Sequence, residues 1–318
     1  MKDLRVNALA NMMLRVFNIV FPLITGPYLA RILDVGDYGE FNIVDTIVTI
    51  FIPFATLGVY NFGIREISKV KDNIEKRNKV FSQLFYLSLV ATLLTTAAYA
   101  LYVTFLVDVK SWGMMYAIMG IQILAQGFYI EWMNEAFENY TFILYKTLFI
   151  RVVMLVSIFM FVKQPHDIVI YAAIMSLTTF GNYLLSFIWI KKDVRLVKVP
   201  LQEFKPLFKP MIAIFLLANA SMLYTYMDRL FLAQTGVPEY VSYYTFGQKL
   251  AMLLAGVISG AVSVSVPRLS YYIGQNNYQA YTDLVNKGSR FFTFFLMPIS
   301  MGMAVIGTYV TVIYYGDK

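Results

Sequence analysis

The sequence predicts an all-α protein: a polytopic bundle of about nine transmembrane helices, built as two lobes related by a parallel repeat, with the second lobe incomplete. Three observations lead there. Apolar residues make up 59% of the chain and charged residues only 14%, against about 25% charged in soluble domains. The apolar residues gather in runs of about 20, the length a helix needs to cross hydrocarbon. Lys and Arg are confined largely to alternate gaps between those runs, which is the signature of an oriented membrane chain. The alternating pattern of a barrel strand is absent, and only helices and closed barrels satisfy their backbones in lipid.

The runs cover roughly Ala10–Leu33, Phe41–Ile64, Val80–Val107, Met114–Phe137, Phe142–Val162, Ile168–Ile190, Met211–Ala233, Val241–Val266 and Phe291–Tyr315. The first continues past the core of a cleavable signal, and no Ala-x-Ala site follows, so it reads as a span. Lys2 and Arg5 precede it. The gap after the second run holds Arg65, Lys69, Lys71, Lys76, Arg77 and Lys79. The gap after the sixth holds Lys191, Lys192, Arg195, Lys198, Lys205 and Lys209, and that after the eighth Arg268, Lys287 and Arg290. Opposite connections carry little beyond Lys110 and Lys163. This places the N-terminus in the cytoplasm and Lys318 outside a cell membrane.

The basic segment with Pro200, Pro206 and Pro210 divides the chain. Residues 1–190 are expected to form a six-helix N-terminal lobe, 191–209 a cytoplasmic interlobe loop, and 210–318 a partial C-terminal lobe of three helices. An ordinary loop drawn to anionic headgroups would have a similar composition. A repeat argues for the boundary. Asn18, Asp37-Tyr38-Gly39-Glu40-Phe41 and Arg65-Glu66-Ile67-Ser68 recur as Asn219, Glu239-Tyr240-Val241-Ser242-Tyr243 and Arg268-Leu269-Ser270, offset by about 202 residues. Six spans separate the copies, so they share one orientation, as in parallel repeats.

Several function classes fall away. The chain has no cysteine, hence no disulfide or thiolate chemistry. Its one histidine, His166, follows Pro165 in a short loop without ligand partners nearby and reads as solvent-facing. No metal site and no cofactor are expected. The net charge of +7 lies in the gaps between apolar runs, so nucleic acid is not an expected partner. There is no Gly-x-x-x-x-Gly-Lys-Ser/Thr loop for a nucleotide, and no catalytic residues are identified.

Three stretches together carry a family resemblance. Pro27-Tyr28-Leu29-Ala30-Arg31-Ile32-Leu33 precedes Asp37-Tyr38-Gly39-Glu40-Phe41. Leu57-Gly58-Val59 leads to Gly63-Ile64-Arg65-Glu66. Met227-Asp228-Arg229-Leu230 leads through Pro238-Glu239-Tyr240-Val241 to Gly247-Gln248-Lys249-Leu250. A weaker fourth is Glu131-Trp132 with Glu138-Asn139-Tyr140. Over essentially its whole length the chain resembles the oligosaccharide (O-antigen and capsule repeat-unit) flippases of the multidrug/oligosaccharidyl-lipid/polysaccharide exporter superfamily. Such proteins have two six-helix lobes, so the resemblance implies a chain truncated at its C-terminus. It implies a lipid-linked oligosaccharide substrate, membrane lipids, and a polysaccharide polymerase and glycosyltransferases as partners. Each motif also has a structural reading, which we favour: Pro22 and Pro27 as a packed kink, Gly26, Gly58 and Gly63 as close-packing sites, and the two Tyr-containing turns as corners.

Ionisable side chains within spans cost at least about 2.5–3.5 kcal/mol and usually face a cavity or a partner. Arg31, Glu131, Asp228 and Arg229 lie near enough to span ends to snorkel or pair. Asp45 and Glu131, with Asp228 and Arg229, stand as coupling or structural charges. Arg15, Arg151 and Lys249 lie deeper and are candidates for a cationic cavity lined by Asn18, Gln122, Gln126 and Asn219. Cations of this kind suit the diphosphate of a polyprenyl-linked sugar, and amides and aromatic faces suit the sugar.

The leading expectation is therefore a flippase that moves polyprenyl-diphosphate oligosaccharide to the outer leaflet by alternating access, for surface polysaccharide biosynthesis, and not an enzyme. The alternative is a cation-coupled multidrug exporter of the same superfamily, which should bring carboxylates to its cavity. A membrane glycosyltransferase ranks third, since the outward connections are short. The cysteine-free sequence makes the orientation testable. Single cysteines at Lys71 and Lys198 should resist an impermeant thiol reagent in intact cells, while one at Gln234 reacts; labelling of the first two would reverse the orientation.

Overall fold

A computed structural model describes residues 4–107 and 109–316; some side chains within its helices, those of Arg15 and residues 257–264 among them, lie outside the described residues. The described chain is helical, without a strand. Its helices are α1 (Leu4–Ile32), α2 (Val35–Thr56), α3 (Val59–Val70), α4 (Ile74–Leu106), α5 (Val109–Ala125), α6 (Glu131–Ala136), α7 (Tyr140–Phe161), α8 (Ile168–Ile190), α9 (Lys205–Ala233), α10 (Pro238–Gly274) and α11 (Tyr278–Tyr315). Short 3-10 turns occupy Gln126–Phe128 and Leu201–Glu203.

Among the described residues seven segments are long and apolar enough to cross a membrane, or eight if Leu201–Met222 and Tyr224–Ala233, which meet at 53°, form one bent span. The chain is a multi-pass membrane protein. The expected span Val241–Val266 falls on α10, where many side chains lie outside the described residues. Two of the expected spans are each two helices. In the second, α2 ends where Leu57 adopts φ 46° and Gly58 φ 72°, and the Leu57 amide closes on the Pro53 carbonyl at 2.9 Å. Gly58 serves twice. It tolerates the left-handed conformation, and it lets α9 approach, because a Cβ there would stand 3.1–3.3 Å from backbone atoms of Met211 and Phe215.

The fourth span breaks between α5 and α6. Irregular backbone at membrane depth must find partners inside the protein, and here it does. The Tyr129 amide donates to Gln126 O at 3.0 Å and the Met133 amide to Ile130 O at 2.9 Å, while Trp132 Nε1 donates to Tyr129 O at 3.2 Å. Trp132 is fully buried. Its indole lies against Gly63 of α3, where even a methyl group would collide with the ring. Val59, Phe62, Ile67, Phe81, Phe85 and Met133 complete this apolar core. Between helices in lipid, such close van der Waals fit replaces the hydrophobic drive of soluble cores.

The chain divides into two compact units, one of Met1–Thr25 with Ile32–Ser242 and one of Gly26–Arg31 with Tyr243–Lys318. Within the second, Arg31 Nη2 donates to Ile313 O at 2.7 Å. Within the first, the two corner motifs meet. Gly39 presses against the Pro238 backbone, where a side chain would not fit, and Ser242 Oγ donates to Val35 O at 2.7 Å. Asp34 caps α2, accepting from the Gly36 and Asp37 amides at 2.9 and 3.2 Å.

The loop before α8 docks on this corner. The Asp34 amide donates to Pro165 O at 2.9 Å, and exposed His166 places Nδ1 2.8 Å from Asp37 Oδ2. The hydrogen bond to Asp37, and then its charge, hold the imidazole pKa above its ordinary value. Because the folded pKa is the raised one, the contact stabilises the corner fully below the unfolded value of about 6.5 and is lost as pH rises through the folded pKa. With one histidine in the chain, labelled imidazole should give a single NMR titration displaced upward, and Asp37→Asn should return it toward the ordinary value; no displacement in the parent protein would remove the contact.

Candidate functional site

Polar groups gather where the broken fourth span meets α7 and α8. Lys146, about a turn and a half into α7, donates to Glu131 Oε1 and Oε2 at 3.1 and 2.9 Å and to Ser186 Oγ at 2.6 Å. Ser186 in turn donates to Glu131 Oε2 at 2.5 Å. The lysine side chain is 2% exposed and the glutamate 13%. The break puts Glu131 at the start of α6, and the register of α7 and α8 brings the other two groups to it. One turn on, Glu135 accepts from Tyr60 of α3 at 2.8 Å on both carboxylate oxygens. Tyr60 stacks on Tyr129 at 6.1 Å, and Tyr129 meets Tyr183 edge-on at 4.9 Å.

A second group joins α1 and α7. Arg151 lies near the middle of α7, about 16 Å along it by helical rise. Its Nη2 donates to Asn18 Oδ1 at 2.7 Å, and its guanidinium sits 4.7 Å from the Phe21 ring centre. Nε is buried and unpartnered. One donor held by an amide and one face held by a ring leave a guanidinium able to present its remaining N–H groups to an anion. A third group joins α2 and α9. Arg229, 5% exposed, reaches Thr46 Oγ1 at 3.4 Å and lies 5.5 Å from the Tyr226 ring centre. Asp45 acts electrostatically on the same Tyr226.

The residues singled out in the sequence thus fall into separate places. Arg151 and Asn18 are brought together. Asp45 and Arg229 share a neighbourhood, while Asp228 is exposed on α9. Gln122 and Gln126 are buried between α5 and α8; Gln122 donates to Ser176 at 3.3 Å and Gln126 to Gln122 O at 3.2 Å. Asn219 turns back to Phe215 O of its own helix at 2.8 Å. Lys249 is half-buried on α10, and the Arg15 side chain lies outside the described residues. Lys146, Ser186, Glu135 and Tyr60 were missed. A lysine four residues into the apolar run from Phe142, fifteen after Glu131, was the available signal.

The buried pair makes a strong energetic demand. Removing one partner strands the other charge, typically at about 3–5 kcal/mol, whereas replacing both with apolar groups is close to neutral. Lys146→Met should therefore sharply lower thermal stability in detergent, and Lys146→Met with Glu131→Leu should recover most of the loss. Equal stability for Lys146→Met and the parent would mean the pair is not buried as described.

The model of the family described as "Polysaccharide biosynthesis protein" matches residues 4–273. A Shigella dysenteriae protein named as an O-antigen transporter is 23% identical over 312 residues, covering 95% of this chain and 75% of that protein. An Escherichia coli K12 protein of the same name is 23% identical over 265 residues, covering 80% of this chain and 61% of that protein. No solved structure matches. The chain belongs to the polysaccharide biosynthesis protein family.

Proposed function

We propose that the protein exports a polyprenyl-diphosphate-linked oligosaccharide across the cytoplasmic membrane by alternating access, without chemistry on the substrate, as part of surface polysaccharide biosynthesis. The observation that carries this reading is Arg151: a guanidinium in the middle of a span, oriented by Asn18 and Phe21, with no carboxylate paired to it among the described residues. A diphosphate would supply the missing charge, accepting charge-assisted hydrogen bonds from Arg151. Arg15 and Lys249 enter the proposal on their positions in the sequence. Family membership and the names of the two relatives support a substrate from this class. The orientation proposed is N-terminus inside.

The carboxylates weigh against the multidrug alternative. Glu131 is already neutralised by Lys146 and Glu135 is held by Tyr60, so neither is offered to a cationic drug.

Complementation of a flippase-deficient strain, scored by surface polysaccharide, tests the assignment. Arg151→Ala should abolish polysaccharide while membrane levels stay unchanged, a loss of at least tenfold for a charge-assisted contact worth about 1.5–3 kcal/mol. Arg151→Lys should rescue in part, because an ammonium keeps the charge and loses the fork. Full polysaccharide from Arg151→Ala would remove the phosphate-binding role.

A further inference from the structure

Away from those charges, one feature of the first unit has a different chemistry. α9 packs on α2 and α3, and Leu207, Met211 and Ile214 join the apolar core there. Its other flank faces α4 without closing on it. Between them lies a cavity of about 450 Å³ lined by Tyr86 and Val90 of α4, Leu201 and Phe204 of the 3-10 turn, and Lys205 and Phe208 of α9. The 3-10 turn at one side of the cavity is anchored. Glu203 pairs with Lys79 at 2.7 Å, and its carbonyl accepts from Gln83 Nε2 at 3.2 Å. These contacts tie the 3-10 turn to α4.

Apolar walls and a cationic rim stand together here. Lys205 is exposed at the lining and Lys209 follows one turn later on the same face. Neither enters an ion pair among the described residues, and nearby Glu203 pairs with Lys79. The groove lies where the basic segment 191–209 gives way to apolar sequence, a change of composition that suits the boundary between headgroups and acyl chains. We infer that this groove binds one anionic phospholipid of the adjoining leaflet. An acyl chain lies along Val90 and Phe208, and the phosphate sits at Lys205 and Lys209. The walls alone would accept any acyl chain; the unpaired lysines select the anionic headgroup. This site is independent of the transport reading and of Arg151.

The absence of cysteine permits a direct test. Val90→Cys carries bimane in nanodiscs that mix phosphatidylglycerol with phosphatidylcholine, one of the two bearing brominated acyl chains that quench on contact. Leu177→Cys, on the exposed flank of α8, is the control for bulk lipid. Brominated phosphatidylglycerol should occupy the Val90 site about fivefold more strongly than brominated phosphatidylcholine, the discrimination expected of a lysine near an anionic headgroup. No preference should appear at Leu177. Lys205→Gln with Lys209→Gln should abolish the preference at Val90. Equal quenching by the two lipids at Val90, the same preference at both positions, or a preference that survives the double lysine variant would each overturn the site. Unlabelled polyprenyl phosphate that displaced brominated phosphatidylglycerol more strongly than unlabelled phosphatidylglycerol does would assign the groove to a different lipid.

Discussion

The first unit hangs on the ion pair of Lys146 and Glu131, bridged by Ser186. A buried charge pair is a poor source of net stability, because desolvating two ions offsets most of their attraction. Its force lies in what it forbids. Once the pair is inside, any displacement of α6, α7 or α8 strands a charge in a medium that cannot solvate it. The pair therefore fixes where α6 stands, and the next residue, Trp132, must then fit the notch left by Gly63 on α3. α3 is set against α2 by the left-handed joint at Leu57 and Gly58, and the same glycine admits α9. A polar contact at one end of the bundle thus specifies a series of apolar contacts that packing alone would leave degenerate.

Hydropathy and charge spacing made the helical, membrane-crossing character of the apolar segments legible, because lipid imposes one length and one composition on anything that crosses it; nine spans were expected, and seven or eight segments qualify among the described residues. The same uniformity hid the breaks. A run from Phe41 to Ile64 is equally apolar on both sides of Leu57, so no average over residues detects the joint; the signal lay in single residues, Pro53 and the Leu-Gly pair. The break after Ala125 is no more visible, since Gln126 and Gly127 resemble ordinary span residues until Trp132 and Tyr129 are seen to absorb the freed carbonyls. Corner motifs were easier. Gly39 and Pro238 lie in turns read as corners and act through close approach, which depends on residue type at a fixed place in the chain, while the Asp34 cap was not named.

Candidate site residues could be picked out by how deep they lie in an apolar run, not by their partners. A deep arginine declares itself from the apolar residues around it, so Arg151 was singled out as a candidate, and Asn18 was named although its pairing across 133 residues was not. Lys146 escaped because its depth is modest and its partners sit on two other helices. Gln122 and Gln126 show the converse. Amides within a span look like cavity lining, yet both are buried and bonded within the protein, Gln122 to Ser176 and Gln126 to the Gln122 backbone carbonyl.

Two cations of α7, five residues apart, receive opposite treatment, and the contrast bears on transport. Lys146 has a carboxylate, a hydroxyl and near-complete burial, so its charge is closed off within the protein. Arg151 has an amide, an aromatic face and an unpartnered Nε, which orient a guanidinium without neutralising it. Holding a cation in that condition at mid-span is costly in the resting protein. That cost is useful if an anionic substrate relieves it, since binding energy then comes from a charge the fold has already positioned and partly desolvated. A closed pair such as Lys146 and Glu131 could not do this without first breaking. On the proposed reading the two divide the labour: one cation fixes the helices, and the other remains for the ligand.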